Sequence, residues 1–260
     1  VGSRNRAQRR GQEISMHRFV VEPEQIFPEY VEILGGDVNH IRNVLRMSPG
    51  DRISVSDGLG TDYICELEQL EAGCVRGRIL ERKPFDVELS SRLILYQGLP
   101  KGDKMELIVQ KAVELGVSRI VPVSLKRCVV KLDAKKAEAK RRRWQAVAES
   151  AAKQSGRSVI PQVDPVMTLE EALRDAKALD FRLIPYECAR GMEEARSVLG
   201  KIQKGRSTGV FIGPEGGFEK SEVEAAVEAG AHPISLGRRI LRTETAGICI
   251  LSVLMFHLED

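Results

Sequence analysis

Long apolar stretches and paired cysteines are both missing from this sequence. No run approaches the ~18 consecutive apolar residues of a membrane helix, and no apolar signal segment opens the chain. The five cysteines are scattered, and none stands in the Cys-x-x-Cys spacing of a zinc site. An odd, scattered set also argues against a disulfide framework. We therefore expect a cytoplasmic protein that contacts no membrane and binds no metal.

Several familiar catalytic and nucleotide-binding motifs are missing as well. The sequence holds no GxxxxGK[ST] phosphate loop, no GxGxxG turn after a strand, no GxSxG nucleophile elbow and no HExxH zinc helix. The four histidines lie far apart, at positions 17, 40, 232 and 257. A nucleotide-binding enzyme, a serine hydrolase of that type and a zinc protease are therefore disfavoured.

Positive charge is concentrated in one segment of the chain. The net charge is only +3, yet residues 126–157 contain 11 basic and three acidic residues. Such a cluster is expected of a nucleic-acid binder, and it is equally typical of a solvated helix face. Charge alone leaves both interpretations open.

The first 15 residues differ in composition from the rest. They hold four arginines, one acidic residue and few apolar residues. This composition predicts a disordered basic arm. An alternative interpretation is that residues 1–15 come from upstream of the native protein, because Met16 looks like a natural start.

Residues 16–88 are predicted to form a small β-barrel-like domain, because short strand patterns alternate there with turn signals. One short helix is expected over Asp37–Arg46, since Ile41, Val44 and Leu45 are apolar at helical spacing. The candidate strands are His17–Val21, Arg52–Ser56, Asp62–Leu67, Cys74–Ile79 and Asp86–Leu89.

Residues 89–260 alternate strand-like runs with helical segments, which predicts an α/β domain with a mostly parallel sheet covered on both faces. Helices are expected over Asp103–Leu115 and Ala134–Ser155, and at the capping-box patterns Thr168–Glu171 and Ser221–Glu224. The expected strands are Leu93–Gln97, Arg119–Val123, Arg182–Ile184, Gly209–Ile212 and Pro233–Leu236.

The last predicted helix, about Thr245–Leu258, is apolar almost all round. Such a helix is buried on every side, and at a chain end that burial often requires a second subunit. We therefore expect a homodimer. Trp144, on the basic helix, is expected to anchor the core, with stacking on an RNA base as the alternative.

Two loops carry the strongest local signal for a ligand pocket. Residues Phe211–Phe218 (FIGPEGGF) follow a strand and precede a helix, and their three glycines let the backbone approach a ligand closely. Residues Leu236–Ala246 (LGRRILRTETA) likewise follow a strand and lead into the apolar helix. The backbone of this second loop and the hydroxyls of Thr243 and Thr245 are expected to line the same pocket.

Together these two motifs resemble those of the RsmE family, SPOUT-class methyltransferases that use S-adenosyl-L-methionine and act on small-subunit ribosomal RNA. The resemblance extends to MHRFVV at 16–21, HIRNVLRMSPGD at 40–51, KGDKMELIVQKAVELGV at 101–117 and AAKQSGR at 151–157. It runs in order from Met16 to the C-terminus.

The resemblance implies a PUA-like RNA-binding β-barrel at 16–88 and a SPOUT methyltransferase domain at 89–260 with a C-terminal trefoil knot. It implies a homodimer whose product is N3-methyluridine in 16S ribosomal RNA of the small subunit. S-adenosyl-L-methionine would sit in the knot, held mainly by backbone groups of three loops. The residues placed around it are Pro185, Tyr186, Glu187, Ile212, Gly213, Pro214, Glu215, Gly216, Gly217, Leu236, Gly237, Ile240, Leu241, Arg242, Thr243, Thr245 and Ala246.

Two side chains of the second loop are candidates for catalysis. Uridine N3 carries a proton that leaves before or during methyl transfer, which calls for a general base or for a cation near the anion. Arg242 is the candidate for stabilising the anion, and Glu244 is the candidate base. Glu244 equally suits capping of the last helix or pairing with Arg242. The candidate RNA contacts are Arg18, Arg127, Arg142 and Arg157.

The sequence departs from the family pattern at two positions. The family usually has an acidic residue where Lys153 stands and commonly a proline where Arg238 stands.

Other functions stay open. One alternative is a non-catalytic RNA-binding or ribosome-assembly protein of the same fold. Others are a SPOUT methyltransferase that acts on another RNA and, more weakly, a general nucleotide-binding enzyme.

Overall fold

A computed structural model of the chain describes residues 16–84, 87–187, 189 and 191–259. The chain divides into two compact units, Val1–Val87 and Glu88–Asp260. The arm that we expect at 1–15 lies outside the described residues.

The first unit is built on one five-stranded sheet. The strands are β1 (Arg18–Val20), β2 (Tyr30–Leu34), β3 (Arg52–Ser56), β4 (Thr61–Leu70) and β5 (Cys74–Pro84). They lie in the order β1-β3-β4-β5-β2; β1 pairs with β3 in parallel, and the other neighbours are antiparallel. Within the described residues no pairing joins β1 to β2, so the predicted barrel is not closed by hydrogen bonds.

The helical part of this unit is short. A 3-10 turn covers Pro23–Gln25, and helix α1 (Gly36–Asn39) runs directly into a π-helical turn at His40–Val44. Ile41 of that turn is fully buried in the core of the unit. The predicted helix over 37–46 is therefore confirmed, with an unexpected π-helical second half.

Most strand predictions for this unit are confirmed, and one is wrong. Strand β2 is only five residues long and was missed, although Glu32 between the buried Val31 and Ile33 is the alternation typical of a half-buried strand. No strand forms over Val87–Leu89, where the Glu88 carboxylate is held by Arg157 instead. Asp86 of that predicted strand lies outside the described residues.

The second unit contains a seven-stranded sheet. Its strands are β6 (Arg92–Gly98), β7 (Val117–Ser124), β8 (Gln162–Val163), β9 (Met167–Thr168), β10 (Phe181–Pro185), β11 (Ser207–Ile212) and β12 (His232–Ile234). They lie in the order β12-β10-β11-β6-β7-β8, with β9 also beside β7, and all of these pairings are parallel. Consecutive residues of a strand face opposite sides, and Leu93–Gln97 are all buried, so both faces of the sheet are covered. The parallel α/β prediction is confirmed.

Six helices surround this sheet in the described part of the second unit. The capping box at Thr168 and Glu171 is confirmed at the start of α4. The predicted box at 221–224 is wrong, because Glu219 and Glu222 form the box and Ser221 lies in the first turn. The helices are α2 (Lys104–Glu114), α3 (Ala134–Gln154), α4 (Leu169–Ala176), α5 (Met192–Leu199), α6 (Lys220–Glu228) and α7 (Thr243–Leu258).

Helix α7 is buried on one side within this chain, and the predicted burial of its other side against a second subunit stays a prediction. Ile250, Leu251 and Leu254 are buried, whereas Phe256 is 85% exposed and Val253 is 41% exposed.

Trp144 of α3 is buried, so its predicted place in the core is confirmed. Among the helices of the described ranges, none combines the length and the apolar composition needed to cross a membrane.

Candidate active site

Three loops meet around a cavity of about 460 Å³ at the carboxyl ends of the adjacent strands β12, β10 and β11. This edge of a parallel sheet is where open α/β folds bind ligands. Every predicted cofactor residue lines the cavity except Thr245, which is exposed on the first turn of α7. Of the other lining residues, Phe218, Arg238 and Arg239 belong to the two predicted loops, whereas Lys104 and Ser235 were not predicted.

Close backbone packing shapes the glycine loop after β11. A Cβ atom added at Gly213 would lie 3.1 Å from the carbonyl carbon of Gly217, and Gly217 itself has a φ of +67°. The N–H of Gly217 donates to the carbonyl oxygen of Pro214 at 2.9 Å, which closes the turn. Only glycine fits these positions without displacing the backbone.

Gly98, at the end of β6, is a further close contact of this loop. An added Cβ would lie 2.8 Å from the backbone nitrogen of Pro214 and 2.8 Å from Cδ1 of Leu125. Gly98 stands far from the loop in sequence, so no local pattern pointed to it.

Gly98→Ala is expected to lower the free energy of unfolding by about 1–3 kcal/mol, because the methyl group must displace the Pro214 backbone. Urea unfolding measures this loss. Gly247→Ala is the matched control, since its Cβ would lie 3.7 Å from Oε1 of Gln97, an ordinary contact, and alanine favours the helix. Equal losses in both variants would contradict the proposed clash.

Buried hydrogen bonds anchor the start of α7 beneath the glycine loop. The Thr243 hydroxyl donates to the carbonyl oxygen of Gly213 at 2.6 Å and accepts from Nε2 of Gln97 at 2.9 Å. Gln97 is fully buried on β6, and its Oε1 has no hydrogen-bond partner among the described residues. Sequence reasoning identified Thr243 but missed Gln97, which lies 146 positions away.

Lys104 and Glu215 stand at the wall of the cavity, and Glu244 lies beside Lys104 without lining it. Glu215 accepts hydrogen bonds from the backbone N–H of Lys101 at 3.0 Å and from Nζ of Lys104 at 2.9 Å. Burial acts to raise the pKa of the Glu215 carboxyl, but the Lys104 ammonium and backbone N–H donors outweigh it, so that pKa lies below its ordinary value. The bond to Glu215 in turn raises the pKa of Lys104.

The two candidate catalytic residues differ in exposure. Arg242 precedes α7, is exposed, lines the cavity and forms no side-chain hydrogen bond or ion pair within the described part of the chain. The side chain of Glu244 is only 14% exposed, and its Oε2 lies 3.6 Å from Nζ of Lys104. The Glu244–Arg242 pair that the sequence left open is replaced by this contact with Lys104.

The four candidate RNA contacts occupy different environments. Arg18 is paired with Asp62 at 2.7 Å, and both side chains are 13% exposed. Arg127 is half-exposed and donates to the carbonyl oxygen of Gly216 at 3.0 Å. Arg142 is 77% exposed on α3 beside Glu138.

Arg157 is corrected from an RNA contact to a structural residue. Its side chain is 5% exposed, and its guanidinium binds the Glu88 carboxylate with an Nη2–Oε2 distance of 2.5 Å. Nη1 also donates to the carbonyl oxygens of Val113 and Val117. These bonds occupy the guanidinium inside the second unit, so it presents no face to RNA.

Comparison with known proteins defines the class. A family model described as the RNA methyltransferase domain matches residues 87–255, and one described as the RNA methyltransferase PUA domain matches residues 33–79. With the parallel sheet and the cavity at its carboxyl edge, these matches make the protein an RNA methyltransferase that carries a PUA domain.

Individual relatives narrow the assignment. Ribosomal RNA small subunit methyltransferase E of Bacillus subtilis is 38% identical over 230 residues, which cover 87% of this chain and 90% of the relative. The structure of the same-named protein from Neisseria gonorrhoeae, bound to S-adenosyl methionine, has a TM-score of 0.81 at 34% identity and covers 93% of this chain and 97% of that one. A methyltransferase from Legionella pneumophila in complex with the same cofactor has a TM-score of 0.80 at 31% identity and covers 93% and 97%.

The chain belongs to the ribosomal RNA small subunit methyltransferase E family. The resemblance drawn from the two loop motifs is thereby confirmed, and so is the enzyme class. The alternative of a nucleotide-binding enzyme outside the RNA methyltransferases is wrong.

Proposed function

We propose that this protein transfers the methyl group of S-adenosyl-L-methionine to N3 of a uridine in 16S ribosomal RNA of the small subunit. The observation that carries the proposal is the cavity built by three loops at the carboxyl ends of β12, β10 and β11. The names of the relatives support the RNA substrate, and the two cofactor-bound neighbours support the cofactor.

The residues around the cavity fit this cofactor. A volume of about 460 Å³ lies within the roughly 300–1,000 Å³ typical of small-molecule sites. The loops at 185–187, 212–217 and 236–243 would hold it, and Gly213 and Gly217 line the cavity without side chains that would occupy it. When bound, S-adenosyl-L-methionine supplies an electrophilic methyl group on a sulfonium.

The protein's part in the reaction is to manage the proton and the charge of the uracil ring. Glu244 accepts the N3 proton, since its side chain directly follows the cavity-lining Thr243, is 14% exposed and lies beside Lys104, which lines the cavity. Arg242, exposed at the cavity, stabilises the negative charge that develops on the uracil oxygens. The target base must leave its stack to reach this site.

The trefoil knot belongs to the same proposal. Strand β12 lies at the edge of the sheet beside β10, whereas Thr243, at the start of α7, is bonded to Gln97 of β6 near the sheet centre. The chain between them crosses past the loop at 213–217, where Thr243 also holds Gly213. A threaded C-terminal segment accounts for this path.

The proposed RNA surface of the second unit lies on the basic segment 126–157. Arg142 and Arg143 are exposed on α3, and Arg127 is half-exposed beside the glycine loop. Such cations neutralise phosphates and give an affinity that falls as salt rises. In the first unit the PUA domain supports RNA binding. Because the proposed substrate is ribosomal RNA, we propose that the reaction takes place in the cytoplasm.

We also propose that the protein forms a homodimer. The exposed apolar side chains of Phe256 and Val253 on α7 are the part of this helix that a second copy would cover. Light scattering on the purified protein measures the oligomeric state, and a monomer at micromolar concentration would contradict this point alone.

The reaction is tested with labelled S-adenosyl-L-methionine and small ribosomal subunits from a strain that lacks the modification. We expect N3-methyluridine in the digested 16S RNA, identified by mass spectrometry. A different methylated nucleoside would overturn the substrate and keep the cofactor. A protein that binds neither cofactor nor subunit would overturn the proposal, and binding of RNA without the cofactor would favour the non-catalytic alternative.

A further inference from the structure

One side chain, Lys104, connects Glu215 of the cavity wall with Glu244, which lies beside that wall. Its Nζ lies 2.9 Å from Oε1 of Glu215, in the loop after β11, and 3.6 Å from Oε2 of Glu244, in the first turn of α7. Lys104 is the first residue of α2 and lines the cavity. Three elements that are distant in sequence therefore meet at one ammonium group.

The two carboxylates depend on Lys104 to different degrees. Glu215 also accepts a hydrogen bond from the backbone N–H of Lys101 at 3.0 Å, so it keeps a donor when the Lys104 side chain is removed. Oε2 of Glu244 is buried and has no hydrogen-bond donor among the described residues. Lys104 is thus the cation that offsets the burial of Glu244.

We propose that Lys104 is a positioning residue that holds the Glu244 carboxylate beside the cavity, where its partly exposed side chain accepts the uridine N3 proton. The inference rests on the proposed function, because it assigns Lys104 a part in that proton transfer. Without the ammonium, the Glu244 side chain has no counter-charge in its buried place and turns to another orientation.

The first test compares single-turnover methyl transfer in Lys104→Met, Lys104→Arg and the wild type. We expect Lys104→Met to lower the rate at saturating substrates by about 10–100-fold, as misplacement of a catalytic group does. Lys104→Arg restores most of the rate, because it keeps a cation at the same place. Lys111→Met is the matched control, since Lys111 lies on the same helix and pairs with Glu114 at 2.8 Å. Its rate stays that of the wild type.

A double-mutant cycle identifies the group through which Lys104 acts. In the Glu244→Gln background, Lys104→Met is expected to cause no further loss of rate, because the group that it positions is already disabled. The affinity of the RNA-free protein for S-adenosyl-L-methionine, measured by calorimetry, stays within about twofold of the wild type. An unchanged effect of Lys104→Met in the Glu244→Gln background overturns the proposal, as does a loss of cofactor affinity equal to the loss of rate.

A second cycle separates this inference from the proposed function. Full activity of Glu244→Gln, or no methyl transfer by the wild type, overturns the assignment of Glu244 as proton acceptor. Thermal unfolding of the ligand-free variants still reports the link between the two side chains. Non-additive shifts of Tm for Lys104→Met and Glu244→Gln support the link, and additive shifts overturn it.

Discussion

Arg242→Ala is expected to lower kcat of methyl transfer by about 10²–10³-fold while the affinity for S-adenosyl-L-methionine stays nearly unchanged. The Arg242 carbonyl oxygen accepts the N–H of Ala246 at 2.8 Å, and alanine keeps this backbone bond, so the start of α7 is preserved. The guanidinium alone is lost. In the proposed reaction it faces the charge that develops on the uracil ring, where a positioned cation has its largest effect.

Rapid-quench kinetics measures the rate of the Arg242 variant, and calorimetry measures its cofactor affinity. Arg242→Lys is expected to recover part of the rate, because it keeps the charge but not the planar donor geometry. Arg239→Ala removes an equal charge from the same loop and is expected to lower the rate much less. If Arg242→Ala loses cofactor affinity in step with its rate, Arg242 builds the pocket and does not act on the uracil.

Arg157→Met is expected to lower the free energy of unfolding by about 3–5 kcal/mol, because it leaves the partner of a buried ion pair without its cation. The Glu88 carboxylate loses a guanidinium at 2.5 Å, and the carbonyl oxygens of Val113 and Val117 lose their donor. Glu88 keeps one hydrogen bond, from the N–H of Val159 at 3.2 Å. Urea unfolding of the full chain measures the loss.

Arg142→Met is the control for Arg157, since both residues lie in the basic segment. Arg142 is 77% exposed beside Glu138, so its loss is expected to leave the stability almost unchanged. It should instead weaken RNA binding and lower the slope of log K against log salt by about one unit. A stable Arg157→Met variant with weak RNA binding would restore Arg157 as an RNA contact.

The sequence predicted those parts of the site that are continuous along the chain. The segments 212–217 and 236–246 each follow a strand, and their glycines and threonines carry a local signal. Gln97, Gly98 and Lys104 were not predicted as site residues. They contact these loops only through strand pairing and helix packing, and nothing adjacent to them in the sequence marks that contact.

The same limit explains the wrong prediction about Arg157. Arg157 sits in a basic segment like Arg142, but its partner Glu88, 69 residues away in sequence, makes it a buried residue. Helix α7 is apolar all round in sequence, and within this chain α2 and β11 cover just one side of it, so the sequence alone does not tell which side a second subunit would cover. Patterns along the chain report composition, whereas burial depends on which elements from distant parts of the sequence pack against a residue.

The parallel pairing of β6 with β11 has a consequence for biosynthesis. Arg92 lies opposite Ser207, so the strand that carries Gln97 finds this neighbour only after β7, β8, β9 and β10 have been made. Thr243, which locks the glycine loop to Gln97, follows later still. Contacts between residues that lie this far apart in the sequence form slowly. A nascent chain on the ribosome therefore has a complete first unit long before it has a cofactor site, so the two units are able to fold at different stages of synthesis.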